Sequence, residues 1–526
     1  MRRLFISLLV LASFVLAGGT GSVLAQSGKW KSKPKISGDA AVLETLLEDQ
    51  DSLNMVSAGH TRQIGELKER VGELEERLKQ AEAEAAAAKK DAEAARTGVE
   101  TLDQEVAEVR DRFVDGERKL PKFIPHFEFR VRPEYTTNRI DLNSDNEDKD
   151  FYYLQRIRLG ATLEPQKGIR GTIVLQDSRT WGEILGTGMP QDSMELYEGY
   201  ILLTDLFTPG FEVQVGRFAM GFGRERQIGK LDWGNRGRSF DGIRVAYHRP
   251  KVINMDLFAT VIQDSRAAAG PNEDFYGLYL STDVLDFMDF ELYGLYLHND
   301  TEGEGSRIGT VGARVEARPV KGLLLEAEAA VQFGKVDNDL PTGVASIDHL
   351  ATAYGFLAQY AIPVDTTPTV GLFFHSASGD ANPADDRNVA YRPLFPTGHR
   401  FYGGMDLFAW QGVWEIGPSF SLKPIEEVNV KAEYHAFFLS TDGGRVQDAF
   451  GGTTTFPSGS GKFVGHEIDL LVSWAAMKWL SLETGYSLFV PGNVAEKAMV
   501  TVDNGAILAM GNDTAHWFYL QVKASF

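Results

Sequence analysis

The sequence predicts an all-β transmembrane barrel of roughly 16 to 18 antiparallel strands, preceded by an α-helical coiled coil. Three observations predict it. From about residue 126 to the end, apolar and polar residues alternate in segments of about ten, the pattern of strands with one face to lipid and one to a lumen. Past the N-terminus no apolar run is long enough for a transmembrane helix, so alternation is the only membrane signal left. Ahead of the alternating region lies a long stretch with apolar residues at three-four spacing.

The elements follow in chain order. Residues 1–25 read as a secretory signal: Arg2 and Arg3 are the charged start, Leu4 to Leu16 the apolar core, and Val23-Leu24-Ala25 the cleavage site. Residues 26–39 are Lys-rich and contain Pro, a flexible lead. Residues 40–114 read as a periplasmic coiled coil. Ile64, Leu67, Val71, Leu74 and Leu78 open an unbroken seam that runs through Ala81, Ala85, Ala88, Ala92 and Ala95 to Val99, Leu102, Val106, Val109 and Phe113. So polar a helix needs a partner, and a homotrimer or dimer supplies one; a spacer helix is the plainer alternative. At 1.5 Å per residue the ordered part would reach about 70 Å. Residues 115–125 form a linker, and 126–526 the outer-membrane barrel.

Within the barrel region Phe127, Phe129 and Val131 alternate with Glu128, Arg130 and Arg132. Ile157, Leu159, Ala161 and Leu163 alternate with Arg156, Arg158, Gly160 and Thr162. Val311 to Arg318 and Val428 to His435 repeat the pattern. The final segment sets Phe518, Leu520, Val522, Ala524 and Phe526 on one face, an alternating strand ending in Phe like the assembly signal of Gram-negative outer-membrane barrels. About 400 residues at roughly 22 per strand and loop give the strand number above.

Parity then assigns a lumen. Arg130, Arg132, Arg156, Arg158, Arg244, Arg314, Arg318 and Lys431 fall opposite apolar faces. At the bilayer midplane a lipid-facing Arg costs about 2–4 kcal/mol, so these must line the pore. Lumen acids are Glu128, Glu326, Glu328, Glu433, Glu467 and Asp469, and about half of the arginines are expected to be neutralised by such carboxylates. The Gly/Arg-rich stretch Val213 to Tyr247 supplies Arg217, Arg224, Arg226 and Arg238 as further pore residues. Simple parity from Val213 and Val215 puts Arg217 on the lipid side, so a bulge or strand end near Gly216 is needed to bring it inward.

Other chemistry is poorly supported. The chain has no Cys, which removes disulfides, thiolate zinc sites and Cys nucleophiles. A net charge of -20 argues against nucleic-acid binding. The G-x-G of GFGRER lacks a third Gly and a βαβ context, and the ten His are scattered. No catalytic residues, resident metal or cofactor are therefore assigned. The acidic stretches DLNSDNEDKD (141–150) and DANPADD (380–386) do not match a calcium loop and read as solvated external loops.

The region also resembles a known family. VGRFAMGFGRERQIGKLDWGNRGRSFDGIRV from Val215, LEAEAAVQFGK from Leu325, SASGDANPADDRNVAYRPLFPTGHRFYGGMDLF from Ser376, GHEIDLLVSW, GYSLFVPG and the Phe terminus are similar to the alginate export family of outer-membrane proteins. The resemblance implies an 18-stranded barrel with an electropositive constriction that passes an anionic polysaccharide outward. By position, Arg217, Arg224, Arg226, Arg238 and Asp241 match family motif residues. The N-terminal coiled coil departs from that family's simplest layout. The expected partners are an anionic polysaccharide or small anions, outer-membrane lipid, further copies of the chain through the coiled coil, and peptidoglycan. The alternatives are a general or small-anion porin and a wall tether.

Overall fold

The computed structural model describes residues 121–526, apart from 147, 183–193, 265–271, 301–304, 338–345, 383–384 and 502–506, together with eight isolated positions between 72 and 98. Those eight are helical and exposed. The signal, the lead, the rest of the coiled coil and the linker up to residue 120 lie outside the described residues. The first strand starts at Lys122, inside the stretch expected to be linker.

Nineteen strands form one sheet. One of them, Arg387–Asn388, is two residues long and lies parallel to part of Ser346–Ala361. The other eighteen make a closed antiparallel ring. They are Lys122–Thr137, Asp150–Gln166, Ile169–Thr180, Met194–Thr204, Phe211–Phe218, Phe240–Arg249, Ile253–Gln263, Asn272–Leu285 and Met288–Asp300. The ring continues with Arg307–Ala317, Leu323–Asp337, Ser346–Ala361, Thr369–Ala377, Val413–Ile425, Val428–Leu439, Phe463–Met477, Leu480–Pro491 and Ala515–Ser525. Each pairs with its neighbours in sequence, and the last closes on the first, with Glu128 opposite Ser525 and Thr137 opposite His516. Phe127 and Phe526 exchange backbone hydrogen bonds of 2.9 and 3.1 Å, and their rings stack at 4.8 Å. Closure matters because lipid offers no partner to an unpaired strand edge.

Alternation sets the two faces. Leu159, Ile173, Val311, Val331, Leu350 and Phe518 are exposed on the outer face. Arg130, Arg132, Arg156, Thr260, Arg314, Gln332 and Glu415 are buried on the inner one. An exposed apolar outside around a buried polar inside is the inverse of a soluble sandwich, and it is what lipid requires. Short turns lie at the end that holds Lys122 and Phe526, and long connections at the other, which places the long ones outside the cell.

Two long connections turn inward, 219–239 and 378–412. Met220, Ile228, Tyr391, Phe401, Met405, Phe408 and Trp410 from them pack with wall residues Phe240, Phe275, Phe437 and Phe489. The apolar core therefore sits inside the barrel. Two further connections form a four-stranded sheet of Gly444–Gln447, Thr453–Phe456, Met499–Thr501 and Ile507–Ala509 at the same end.

The outer face carries a direct test. Val331→Arg should cost about 2–4 kcal/mol if that residue meets lipid near the midplane. Urea-dependent unfolding from phospholipid vesicles measures it, and an unchanged midpoint would contradict the assigned face.

Candidate pore constriction

The wall arginines come from adjacent strands. Register sets Arg130 opposite Arg156 and Glu128 opposite Arg158. Like charges facing each other are unfavourable unless a third group intervenes. Glu128 of the wall meets Arg156, and the connection 219–239 delivers the rest. Arg130 donates to the carbonyls of Asp232 and Gly234, both at 2.8 Å. The Asp232 carboxylate accepts from Arg156 and Arg158, each at 2.8 Å. Burial alone would raise the Asp232 carboxyl, but Arg156 and Arg158 hold it well below the usual carboxylate range. Arg132 donates to the Trp233 carbonyl at 2.9 Å and to Glu134 at 2.6 Å. Its guanidinium also lies 3.8 Å from the Trp233 ring centre.

A second junction holds the opposite part of the wall. Arg226 is buried and donates to Glu326 at 2.5 Å and Glu328 at 2.9 Å. Its other amino group meets His375 Nε2 at 3.1 Å. Glu415 then bridges His375 and His435, 2.6 Å from each Nδ1. His435 in turn lies 3.2 Å from Asp469. This chain of contacts runs across five strands, and a fully buried carboxylate sits at its middle. Buried charges are tolerated only when paired and hydrogen-bonded in this way.

The inward connections are also locked to each other. Gly229 donates to the Phe395 carbonyl at 2.7 Å, and Phe395 donates to that of Gln227 at 2.9 Å. Trp233 stacks on His399 at 3.7 Å with planes 4° apart. Arg238 donates to the carbonyls of Gly229 (3.1 Å), Pro396 (2.9 Å) and Phe395. Backbone N–H groups of Tyr402, Gly404 and Met405 donate to Glu415 (3.3 Å), Asp469 (3.1 Å) and Glu467 (2.8 Å). Positive φ at Tyr402 and Gly403 turns these donors toward the wall. A Cβ at Gly403 would lie 2.5 Å from the Glu467 carboxyl, so only glycine fits.

The remaining expected residues fall as follows. Arg224 reaches Glu326 at 3.0 Å, and Arg314 reaches Glu291 at 2.7 Å and Glu326 at 3.1 Å. Arg244 donates to Asp256 at 2.7 Å, and Lys431 pairs with Glu433 at 2.5 Å. Arg318 lies at the turn end of its strand, exposed, beside Asp289 at 3.4 Å and Glu316. Glu128 accepts from Arg156 at 2.7 Å, and Glu328 from the Tyr293 hydroxyl at 2.9 Å.

Arg217 is not a pore residue. It shares the outer face with exposed Val215, while Gln214 and Phe218 are buried on the inner one. It pairs across the strands with Asp241 at 2.6 Å. Pairing is unbroken through Gly216 on both sides, so there is no bulge to turn Arg217 inward. The odd feature of Gly216 is a close approach: a Cβ there would meet the Gly199 carbonyl at 2.3 Å. Pairing also exceeds the expected half. Each expected lumen cation has a carboxylate partner, except Arg130 and Arg238, which bind carbonyls. The acidic stretches are less solvated than expected, since Asp141 and Asp380 are buried and accept from Asn143 and Asn382 of their own loops.

Between the inward connections and the wall lies a cavity of about 550 Å³. Arg224, Arg400, Lys431, Lys523, Asp232 and Trp233 are among its lining. A family model for alginate export matches residues 125–506. The chain belongs to the alginate export family. Solved structures with the same fold include OccK8 (OprE) of Pseudomonas aeruginosa, 11% identical, TM-score 0.50, covering 77% of this chain and 98% of that one. OccAB1 of Acinetobacter baumannii is 13% identical, TM-score 0.51, covering 76% of this chain and 97% of that one. No curated protein matches the chain in sequence. The family membership and the closed ring make this an outer-membrane channel rather than an enzyme.

Sequence reasoning missed Asp232, Glu415, His375 and Arg400. Asp232 sits in the quoted LDWGN segment, and a carboxylate within an Arg-rich stretch was the available signal. Glu415 and His375 share no sequence neighbourhood with their partners.

Arg226→Ala in this alginate export family member would leave buried Glu328 with only the Tyr293 hydroxyl, while Glu326 keeps Arg224 and Arg314. The expected loss is about 3–5 kcal/mol of stability. Single-channel conductance should rise and become noisier as the connection 219–239 loosens. An unchanged melting temperature together with a quiet, unchanged conductance would show that this junction holds nothing.

Proposed function

We propose that the barrel is a passive channel for an anionic solute, with an exported acidic, alginate-like polysaccharide as the substrate. One observation carries this reading. On the cavity wall three cations stand more exposed than the acids they pair with. Side-chain exposure is 55% for Arg400 and 35% for Arg224 and Lys431, against 23% for Glu433 and 14% for Glu225. Asp232 is 47% exposed, with its carboxylate occupied by Arg156 and Arg158, and the lining cations Arg130 and Arg226 are buried. Guanidinium and ammonium groups facing open space are available to carboxylates of a passing chain. The family's export of alginate supports the polymeric form of the solute.

A second reading is a porin for small anions. The inward connections and their locked junctions favour it, because a polymer must pass beside them or displace them. Current recordings in planar bilayers separate the two. Under a KCl gradient the wild type should be anion-selective, with a several-fold lower permeability ratio in Arg224→Ala/Arg400→Ala. Polyuronate added to the periplasmic side should block the current if the polymer is the substrate. Small uronates alone should do so if the porin reading is right. A cation-selective pore, indifferent to the double variant, would sink both.

The segment 40–114 fits this proposal as a periplasmic arm that gathers barrels into a homotrimer or touches peptidoglycan. Deleting it should lower the oligomer mass or the fraction retained on cell-wall sacculi while leaving conductance per barrel unchanged. Full retention of both after deletion removes the arm from the proposal.

A further inference from the structure

The outer wall carries a row of charge in a place the pore does not explain. Cross-strand register aligns Tyr276, Tyr296, Gly309, Phe333 and Leu350 along the outer face. Tyr296, Phe333 and Leu350 are all exposed there. Aromatic rows on a barrel exterior mark the membrane–water interface. One step toward the long connections, the same register aligns Asp274, His298, Arg307, Lys335 and Asp348. Two residues along a strand advance about 7 Å, so this row stands at the level of outer-leaflet headgroups.

Its middle is cationic. Arg307 and Lys335 face each other directly, and His298 flanks Arg307 on the other side. Directly opposed like charges weaken a sheet. Inside the barrel the comparable pair, Arg130 and Arg156, is relieved by carbonyls and a carboxylate of the protein itself. Outside it is not. Among the described residues no carboxylate lies within ion-pair distance of Arg307, and that of Lys335 is Asp348 at 3.9 Å, with both side chains well exposed. Neighbouring strands are about 4.8 Å apart, so the three basic groups span about 10 Å, within reach of one phosphate-bearing headgroup.

We propose that His298, Arg307 and Lys335 form a site on the outer wall for the phosphate of an outer-leaflet lipid. The lipid supplies the anion that the sheet lacks, and Tyr296 and Phe333 lie beneath it against the acyl region. The site is independent of the transported solute.

Native mass spectrometry of the full chain in neutral detergent tests this, with diphosphoryl lipid A, dephosphorylated lipid A and inorganic phosphate as probes. The wild type should retain the diphosphoryl lipid several-fold more than the dephosphorylated form. Arg307→Gln/Lys335→Gln should fall to the dephosphorylated level with its ion selectivity unchanged. Folding of the variant is checked by its heat-modifiable mobility on gels, and the wild-type comparison of the two lipids stands without it. Equal retention of both lipids by the wild type, or wild-type retention by a folded variant, overturns the site. Displacement of the lipid by inorganic phosphate at equal phosphate concentration overturns the lipid as its source.

Discussion

A charge on the inner face of a closed barrel has few partners to choose from, and this requirement organises the molecule. Lipid penalises the outer face near the midplane, and the wall register opposes Arg130 to Arg156. Glu128 of the wall meets Arg156, and a second carboxylate comes from 219–239, whose Asp232 enters between Arg156 and Arg158. Across the lumen the roles reverse. There the wall supplies the acids Glu326 and Glu328, and the same connection supplies the cation, Arg226. The connection is fastened at both ends by charge of opposite sense, which fixes its position across the lumen.

The fold was legible because the strand period is two and each barrel strand is long. A barrel of 16 to 18 strands and the lumen side of Arg130, Arg132, Arg156, Arg158, Arg244 and Arg314 follow from alternation and length, and the family resemblance selects the eighteen observed. Arg217 shows where a local exception was invoked without physical need. Its alternation from Val213 was sound, and its cross-strand partner Asp241 makes an outward arginine tolerable. What alternation does not encode is which distant residue meets which. Glu415 reads as an ordinary inward acid, yet it joins two histidines and a loop amide from three other segments. Likewise, nothing in the period of 219–239 or 378–412 says that they fold inward. Their apolar residues, Ile228, Phe401, Phe408 and Trp410, find burial only by turning into the lumen.

The near-complete pairing of lumen arginines changes how selectivity is to be understood. A row of arginines is not a row of free positive charge. On the reading proposed above, the sign felt by a solute is set by what stays exposed, chiefly Arg400, Arg224 and Lys431. The buried pairs act as scaffold, while these three keep an exposed face although each is tied to one carboxylate, Glu225, Glu326 or Glu433. This division of labour is compatible with an acidic overall composition, because the net charge of -20 counts scaffold and working groups alike.

The anchoring of Tyr402 to Met405 has a consequence for how the chain tolerates sequence drift. All three donors to the wall acids are backbone N–H groups. Tyr402 and Met405 bury their side chains in the core, and a Cβ at Gly404 would lie 2.8 Å from Ser487 Oγ, so the anchor is held by packing as well as by its N–H groups. Selection therefore bears on Glu415, Glu467 and Asp469, and on Gly403, whose missing Cβ lets the loop approach. The seat of the loop is therefore fixed twice over, and exposed Arg400 beside it is the position that can change without disturbing the anchor.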